Sequence, residues 1–73
     1  MDNARITMTP GVMGGKPCIR GTRLPVEHII RYLGAGDTID ELLVSYPFIE
    51  REDVLAALSF AADFLTKGGL VPA

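Results

Sequence analysis

Residues 25–53 read PVEHIIRYLGAGDTIDELLVSYPFIERED. Two apolar runs of helical period lie in this stretch, parted by glycines and closed by a proline. Val26, Ile29, Ile30 and Leu33 fall at i, i+3, i+4 and i+7, which is one face of a helix. Pro25 suits the first turn because its φ is already close to helical and its missing N–H would be an orphan there. Gly34 and Gly36 offer a stop. The spacing predicts a helix over 25–35. Ile39, Leu42, Leu43 and Tyr46 repeat the template, and Thr38-x-x-Glu41 reads as a capping box that opens a second helix over 38–46. Pro47 biases Tyr46 away from helical backbone and ends it.

A third helix is expected over 50–66. Its first turn, Glu50, Arg51, Glu52 and Asp53, is mostly acidic and suits the positive end of a helix dipole. Gly68 and Gly69 terminate it, leaving 68–73 as a loose tail. At about 100° per residue, Glu52, Ala56, Ser59, Asp63, Thr66 and Lys67 gather on one side. Nearly everything else on this helix is apolar, with Asp53 the exception. The apolar arc covers roughly 220°, about twice the stripe of an ordinary surface helix. Two light helices and a hairpin offer too little to cover it, so Leu55, Phe60, Ala62 and Phe64 are expected at an interface with a second copy or a partner. A helix central to its own bundle is the competing reading.

Working back towards the start, Ile6 and Met8 alternate with Arg5, Thr7 and Thr9, a short strand pattern. Pro10-Gly11 and Gly14-Gly15 break and turn the chain, and residues 17–20 form a second extended piece. A two-strand hairpin is unstable alone, so residues 5–24 must pack on the helices or on another chain. The expectation is one domain over 1–73. It is mainly α: a three-helix bundle with a helix-turn-helix-like core and a short N-terminal β-strand or hairpin.

A chain of 73 residues has a marginal core of its own. One cysteine, Cys18, excludes an internal disulfide, and one cysteine with one histidine, His28, excludes a zinc site of four nitrogen or sulfur ligands. Oligomerisation, as a homodimer, is the expected support. No run approaches the length of a membrane span, and the N-terminus lacks the apolar stretch of a signal peptide, so a cytoplasmic location is expected.

Catalytic patterns are missing. GxxxxGK[ST] and GxGxxG are absent, and Cys18 with His28 lacks the third group that orients a nucleophile pair. No catalytic residue, cofactor or metal is expected. Charge is unevenly placed. Residues 1–36 hold five cations against two carboxylates, and residues 37–73 hold two against seven. The cations crowd GGKPCIRGTRLPV at 14–26. If that piece is extended, Lys16, Cys18 and Arg20 share a face. Gly21 permits a positive φ, Thr22 offers a hydroxyl and an amide, and Arg23 adds a second guanidinium fork. Lys16, Arg20, Gly21, Thr22 and Arg23 are therefore the candidate contacts for an anion, whether nucleic-acid backbone or protein carboxylate. The alternative is that Arg20 and Arg23 pair with acids of the later helices and fasten the hairpin down. The second and third helices fit a helix-turn-helix by length, but Glu50, Glu52 and Asp53 would then face DNA phosphates, which is unfavourable.

Across residues 5–65 the sequence resembles the family catalogued as domain of unknown function 433. The likeness rests on GxPxIxGTRxPV, met here by Gly15, Pro17, Ile19, Gly21, Thr22, Arg23, Pro25 and Val26. It continues through Gly36, Glu41, Leu42, Leu43, Tyr46 and Pro47 to Val54, Ala57 and Leu58. The resemblance implies a small, often dimeric helical fold with a helix-turn-helix-like core. It also implies an antitoxin of a toxin–antitoxin pair, frequently matched to a PIN-type nuclease and able to bind its own operator DNA. Many antitoxins block the toxin with a long arm, whereas the tail here is short. Neutralisation is then expected from the folded surface or the N-terminal segment. The rival expectations are a stand-alone DNA-binding transcriptional regulator and a structural dimerisation module.

Overall fold

The computed structural model describes residues 4–67. The tail expected to be loose, 68–73, lies outside the described residues. The chain runs β1 (Ile6–Thr7), a single 3-10 turn (Met13–Gly15), β2 (Cys18–Ile19), α1 (Val26–Gly34), α2 (Ile39–Ser45) and α3 (Arg51–Lys67). β1 and β2 are antiparallel, with Ile6 opposite Ile19 and Thr7 opposite Cys18. The fold is thus mainly helical with a short N-terminal hairpin.

Each helix starts and stops where its local chemistry dictates. Pro25 precedes α1 as its N-cap. At the other end Gly36 takes φ 108°, the Gly36 N–H donates to the Leu33 carbonyl at 3.1 Å, and the Asp37 N–H donates to Tyr32 at 3.0 Å. That is a Schellman stop, which needs a left-handed residue and so uses glycine. Before α2 the capping box forms in full. The Glu41 N–H donates to Thr38 Oγ1 at 3.1 Å, and the Thr38 N–H donates to Glu41 Oε1 at 2.7 Å. α3 opens on a reciprocal bond, in which the Glu50 N–H donates to Asp53 Oδ2 at 2.9 Å.

α3 packs against α1, α2 and β1. The core between them holds Ile6, Ile19, Leu24, Val26, Ile29, Leu42, Ile49, Val54 and Ala57. Ile29, Leu42 and Val54 are fully enclosed, and burial of each such side chain contributes roughly 1.5–3 kcal/mol. The helical periods place these residues correctly. The two strands are shorter than the alternation suggested, and the proposed shared face of Lys16, Cys18 and Arg20 does not form. Cys18 is buried while Lys16 and Arg20 are exposed. The reason is that β2 spans only two residues: Lys16 closes the 3-10 turn before it and Arg20 lies inside the Ile19–Thr22 turn after it, so the extended run is too short to carry the alternation. β1 pairs with one edge of β2, and the returning chain bridges Cys18 to Pro25 on the other. There the Ile19 N–H donates to Leu24 at 3.0 Å and the Val26 N–H to Pro17 at 2.9 Å.

Candidate functional site

The basic segment is built around one tight turn. The Thr22 N–H donates to the Ile19 carbonyl at 3.0 Å, and Gly21, third of the four turn residues, has φ 78°. A type II turn demands that backbone at that position, which glycine adopts without strain. The Thr22 hydroxyl locks the turn from inside. It donates to the Ile19 carbonyl at 2.8 Å and accepts from the Leu24 N–H at 3.0 Å. Both groups that Thr22 was expected to offer an anion are therefore engaged within the chain. Thr22 and Gly21 hold the turn, and Arg20 and Arg23 project from it, both exposed.

The cations divide into engaged and unengaged. Arg5 Nη1 donates to Asp53 Oδ1 at 2.9 Å and to Glu50 Oε1 at 2.9 Å. Those bonds, to Asp53 first and then Glu50, raise the guanidinium pKa above its ordinary value. Lys16 Nζ lies 3.4 Å from Glu27 Oε1. Arg51 is bonded to Asp40. Arg20 and Arg23 have no ion-pair partner among the described residues. The cation that fastens the hairpin to the third helix is Arg5, and the expected alternative of Arg20 and Arg23 as fasteners is not what forms.

Arg23 borders a shallow depression of about 340 Å³, together with Thr7, Thr9, Cys18 and Gly21. It offers one guanidinium and two threonine hydroxyls to an oxygen-bearing anion. Burial pushes the Cys18 thiol pKa up, opposed by the charges of Arg23 and Lys16. A buried, protonated thiol is a small apolar filler and a poor nucleophile. His28 is exposed on α1. Among the described residues no group of His, Cys, Asp and Glu could hold a metal ion, and no helix is long and apolar enough to cross a membrane.

The four expected interface residues fall into two sets. Phe60 and Phe64 line an apolar groove of about 440 Å³ between α3 and α1, with Val26, Ile30 and Leu65. Phe60 packs on the core, whereas Phe64 remains 61% exposed. Leu55 and Ala62 lie on the opposite side of α3, and both are exposed. The contact that sequence reasoning missed is Arg5 with Glu50 and Asp53. Its signal was present: Asp53 sits inside an apolar arc, and a buried carboxylate requires a partner.

Fold and site together define a small three-helix domain whose N-terminal segment presents, on a glycine–threonine turn, two arginines with no ion-pair partner among the described residues. The chain belongs to the family described as "Protein of unknown function (DUF433)", whose model matches residues 6–61. It is 32% identical over 56 residues to "Uncharacterized protein y4eO" of Sinorhizobium fredii, across 77% of this chain and 25% of that protein. The chain therefore spans a quarter of that relative's length. It also resembles the crystal structure of a DUF433 member protein from Anabaena variabilis ATCC 29413. That likeness has a TM-score of 0.78 and 41% identity, over 81% of this chain and 58% of the other.

Proposed function

We propose that this chain is a non-enzymatic, antitoxin-like binding module that acts as a dimer and neutralises a partner protein by presenting Arg20 and Arg23 to carboxylates on that partner. The observation that carries this reading is the placing of two exposed arginines, Arg20 and Arg23, on one tight turn, where, like Arg31 on α1, they have no ion-pair partner among the described residues. The remaining hairpin cations, Arg5 and Lys16, are engaged within the chain. A PIN-type nuclease is the partner class to which the resemblance points, since such enzymes gather carboxylates to bind metal. An arginine fork can occupy the place of that cation.

Operator binding is the second part of the reading, and α2 with α3 has the length of a helix-turn-helix. The start of α3 argues against deep insertion into a groove. Glu50 and Glu52 are exposed there, and Arg51 is held by Asp40. Phosphate contact would fall mainly to the same two arginines.

Co-purification of the tagged chain from its source cell, with and without added nuclease, tests the proposal when repeated with the Arg20→Ala/Arg23→Ala variant. The expected result is a stoichiometric protein that survives nuclease treatment and is lost with the double variant. Recovery of DNA alone, lost on nuclease treatment, would move the assignment to a transcriptional regulator. Its binding should then weaken with salt at a log–log slope of about −0.9 per phosphate contact. Recovery of the chain alone would leave a structural dimerisation module.

A further inference from the structure

A recess of about 240 Å³ opens where α1 meets α2, lined by Tyr32, Asp37, Leu42, Ser45 and Tyr46. Local bonding fixes its walls. Past the Schellman stop, the Asp37 N–H donates to the Tyr32 carbonyl at 3.0 Å, which holds Asp37 beside the last turn of α1. Tyr46 caps α2 with φ −126° and ψ 74°, outside the helical region, as a following proline favours. Its ring stands 6.0 Å from that of Tyr32, tilted by 47°, and 6.0 Å from that of Phe48, nearly edge-on at 78°. Leu42 is buried and forms the floor. The Asp37 carboxylate and the Ser45 hydroxyl hold no hydrogen bond or ion pair among the described residues. From residue 37 to residue 50 the sequence has four carboxylates and no lysine or arginine. The flanking cations are placed elsewhere: Arg31 lines the groove between α1 and α3, and Arg51 is bonded to Asp40. His28, one turn before Tyr32, does not line the recess. The C-terminal ends of α1 and α2 border it and add partial negative charge.

We propose that this recess receives the guanidinium group of an arginine on a partner protein. It is separate from the turn that carries Arg20 and Arg23, and the inference does not rest on the role proposed for them. The chemistry of the walls selects the ligand. Tyrosine ring faces attract a cation, and a carboxylate accepts two parallel N–H bonds from a guanidinium. A planar guanidinium meets both at once, stacking on a ring while donating in its own plane. A compact, strongly hydrated ammonium does not stack. An anion is repelled by Asp37. The volume lies below the roughly 300–1,000 Å³ of pockets that enclose a whole small molecule, and it suits a single side chain. Tyr32 is 40% exposed and Phe48 61%. These two rings extend the aromatic surface on either side of Tyr46, and exposed aromatic residues of this kind anchor protein partners.

The chain has two tyrosines and no tryptophan, so its tyrosine emission comes from Tyr32 and Tyr46 alone. Emission from the full chain is titrated with N-acetyl-argininamide, which carries the side chain between neutral ends. N-acetyl-citrullinamide, of the same shape without the charge, is the comparison, and the tyrosine ring-proton shifts are followed in parallel by NMR. The expected result is millimolar saturation by the arginine compound and binding of the citrulline compound that is roughly tenfold weaker or less. Asp37→Asn and Tyr32→Leu should each weaken the arginine compound by about tenfold. Tyr32→Phe should change it by less than about twofold, because the ring face remains. Circular dichroism confirms that each variant keeps its helices. Absence of a saturable change in both signals would overturn the site. So would equal binding of the citrulline compound, or an Asp37→Asn chain that binds like wild type. Equal binding of N-acetyl-lysinamide would overturn the assignment to arginine, and tighter binding of free L-arginine would overturn the assignment to a protein side chain. If Tyr32→Leu loses its helices, Asp37→Asn, at an exposed side chain with no bond to lose, decides in its place.

Discussion

Arg5 and Asp53 stand 48 positions apart in sequence, yet the Arg5 guanidinium donates to the Asp53 carboxylate across 2.9 Å. The same carboxylate accepts from the Glu50 N–H through its other oxygen. One side chain thus caps the third helix and ties it to the first strand. Asp53 is only 8% exposed, so it cannot lean on water instead. Asp53→Ala should lower unfolding stability by about 2 kcal/mol, because a bond to a charged donor and a helix-start bond are lost together. Asp53→Asn should cost less, since an amide oxygen still accepts from Glu50. Arg5→Ala and Asp53→Ala should be non-additive in a double-mutant cycle of chemical denaturation. Additive effects would mean that the two side chains do not support each other.

Arg20 and Arg23 should behave in the opposite way. Neither holds an ion pair within the described chain, so Arg20→Ala/Arg23→Ala should leave thermal unfolding within about 0.5 kcal/mol of wild type. A marked fall in the melting temperature would assign both arginines to the fold and remove the main support for a binding role.

The turn beneath them should be sensitive although it carries no charge. Gly21→Ala puts an L-residue at φ 78°, a strain of roughly 1–3 kcal/mol, with open space around the new methyl group. Thr22→Val removes the donor to Ile19 and the acceptor for Leu24, so it should also destabilise. Either variant should weaken partner capture by misplacing the arginines, while Thr22→Ser restores most of the stability. Full stability in Thr22→Val, measured by chemical denaturation, would mean that the hydroxyl does not hold the turn.

Alkaline pH should expose the buried thiol. Burial raises the folded-state pKa of Cys18 above its ordinary value of 9.0. Below the unfolded-state value the thiol is protonated in both states, and its contribution is complete. As pH rises through the window between the two values, the unfolded chain releases a proton that the folded chain keeps, so stability falls. Tyr46 adds a slope of the same sign only above its own ordinary value of 10.0, because bonding with Tyr32 and partial burial raise it. Denaturation followed from roughly pH 7 to pH 10 should show the decline in wild type and a flatter profile in Cys18→Ala. Equal slopes in the two chains would rule the thiol out as its source.

The sequence by itself determined the three helices, because their signals are local. The i, i+3, i+4 spacing, Thr38 with Glu41, Gly36 and Pro47 each act within a turn or two of the chain, and each appears where its chemistry requires. It also determined where the positive charge gathers and that glycine at position 21 permits a turn. Only the tertiary structure decided which of those charges remain unengaged. Lys16 and Arg5 find carboxylates on α1 and at the start of α3, and Arg20 and Arg23 find none among the described residues. It likewise divided the wide apolar arc of α3 into a stripe that meets the core and a stripe that does not. A strand pattern cannot reveal that β2 stops after two residues, between the turn that Lys16 closes and the turn that holds Arg20, so the alternation around Cys18 misled. The common reason is distance along the chain. Ion pairs and two-sided burial depend on residues brought together from tens of positions apart, and local periodicity carries no record of that meeting.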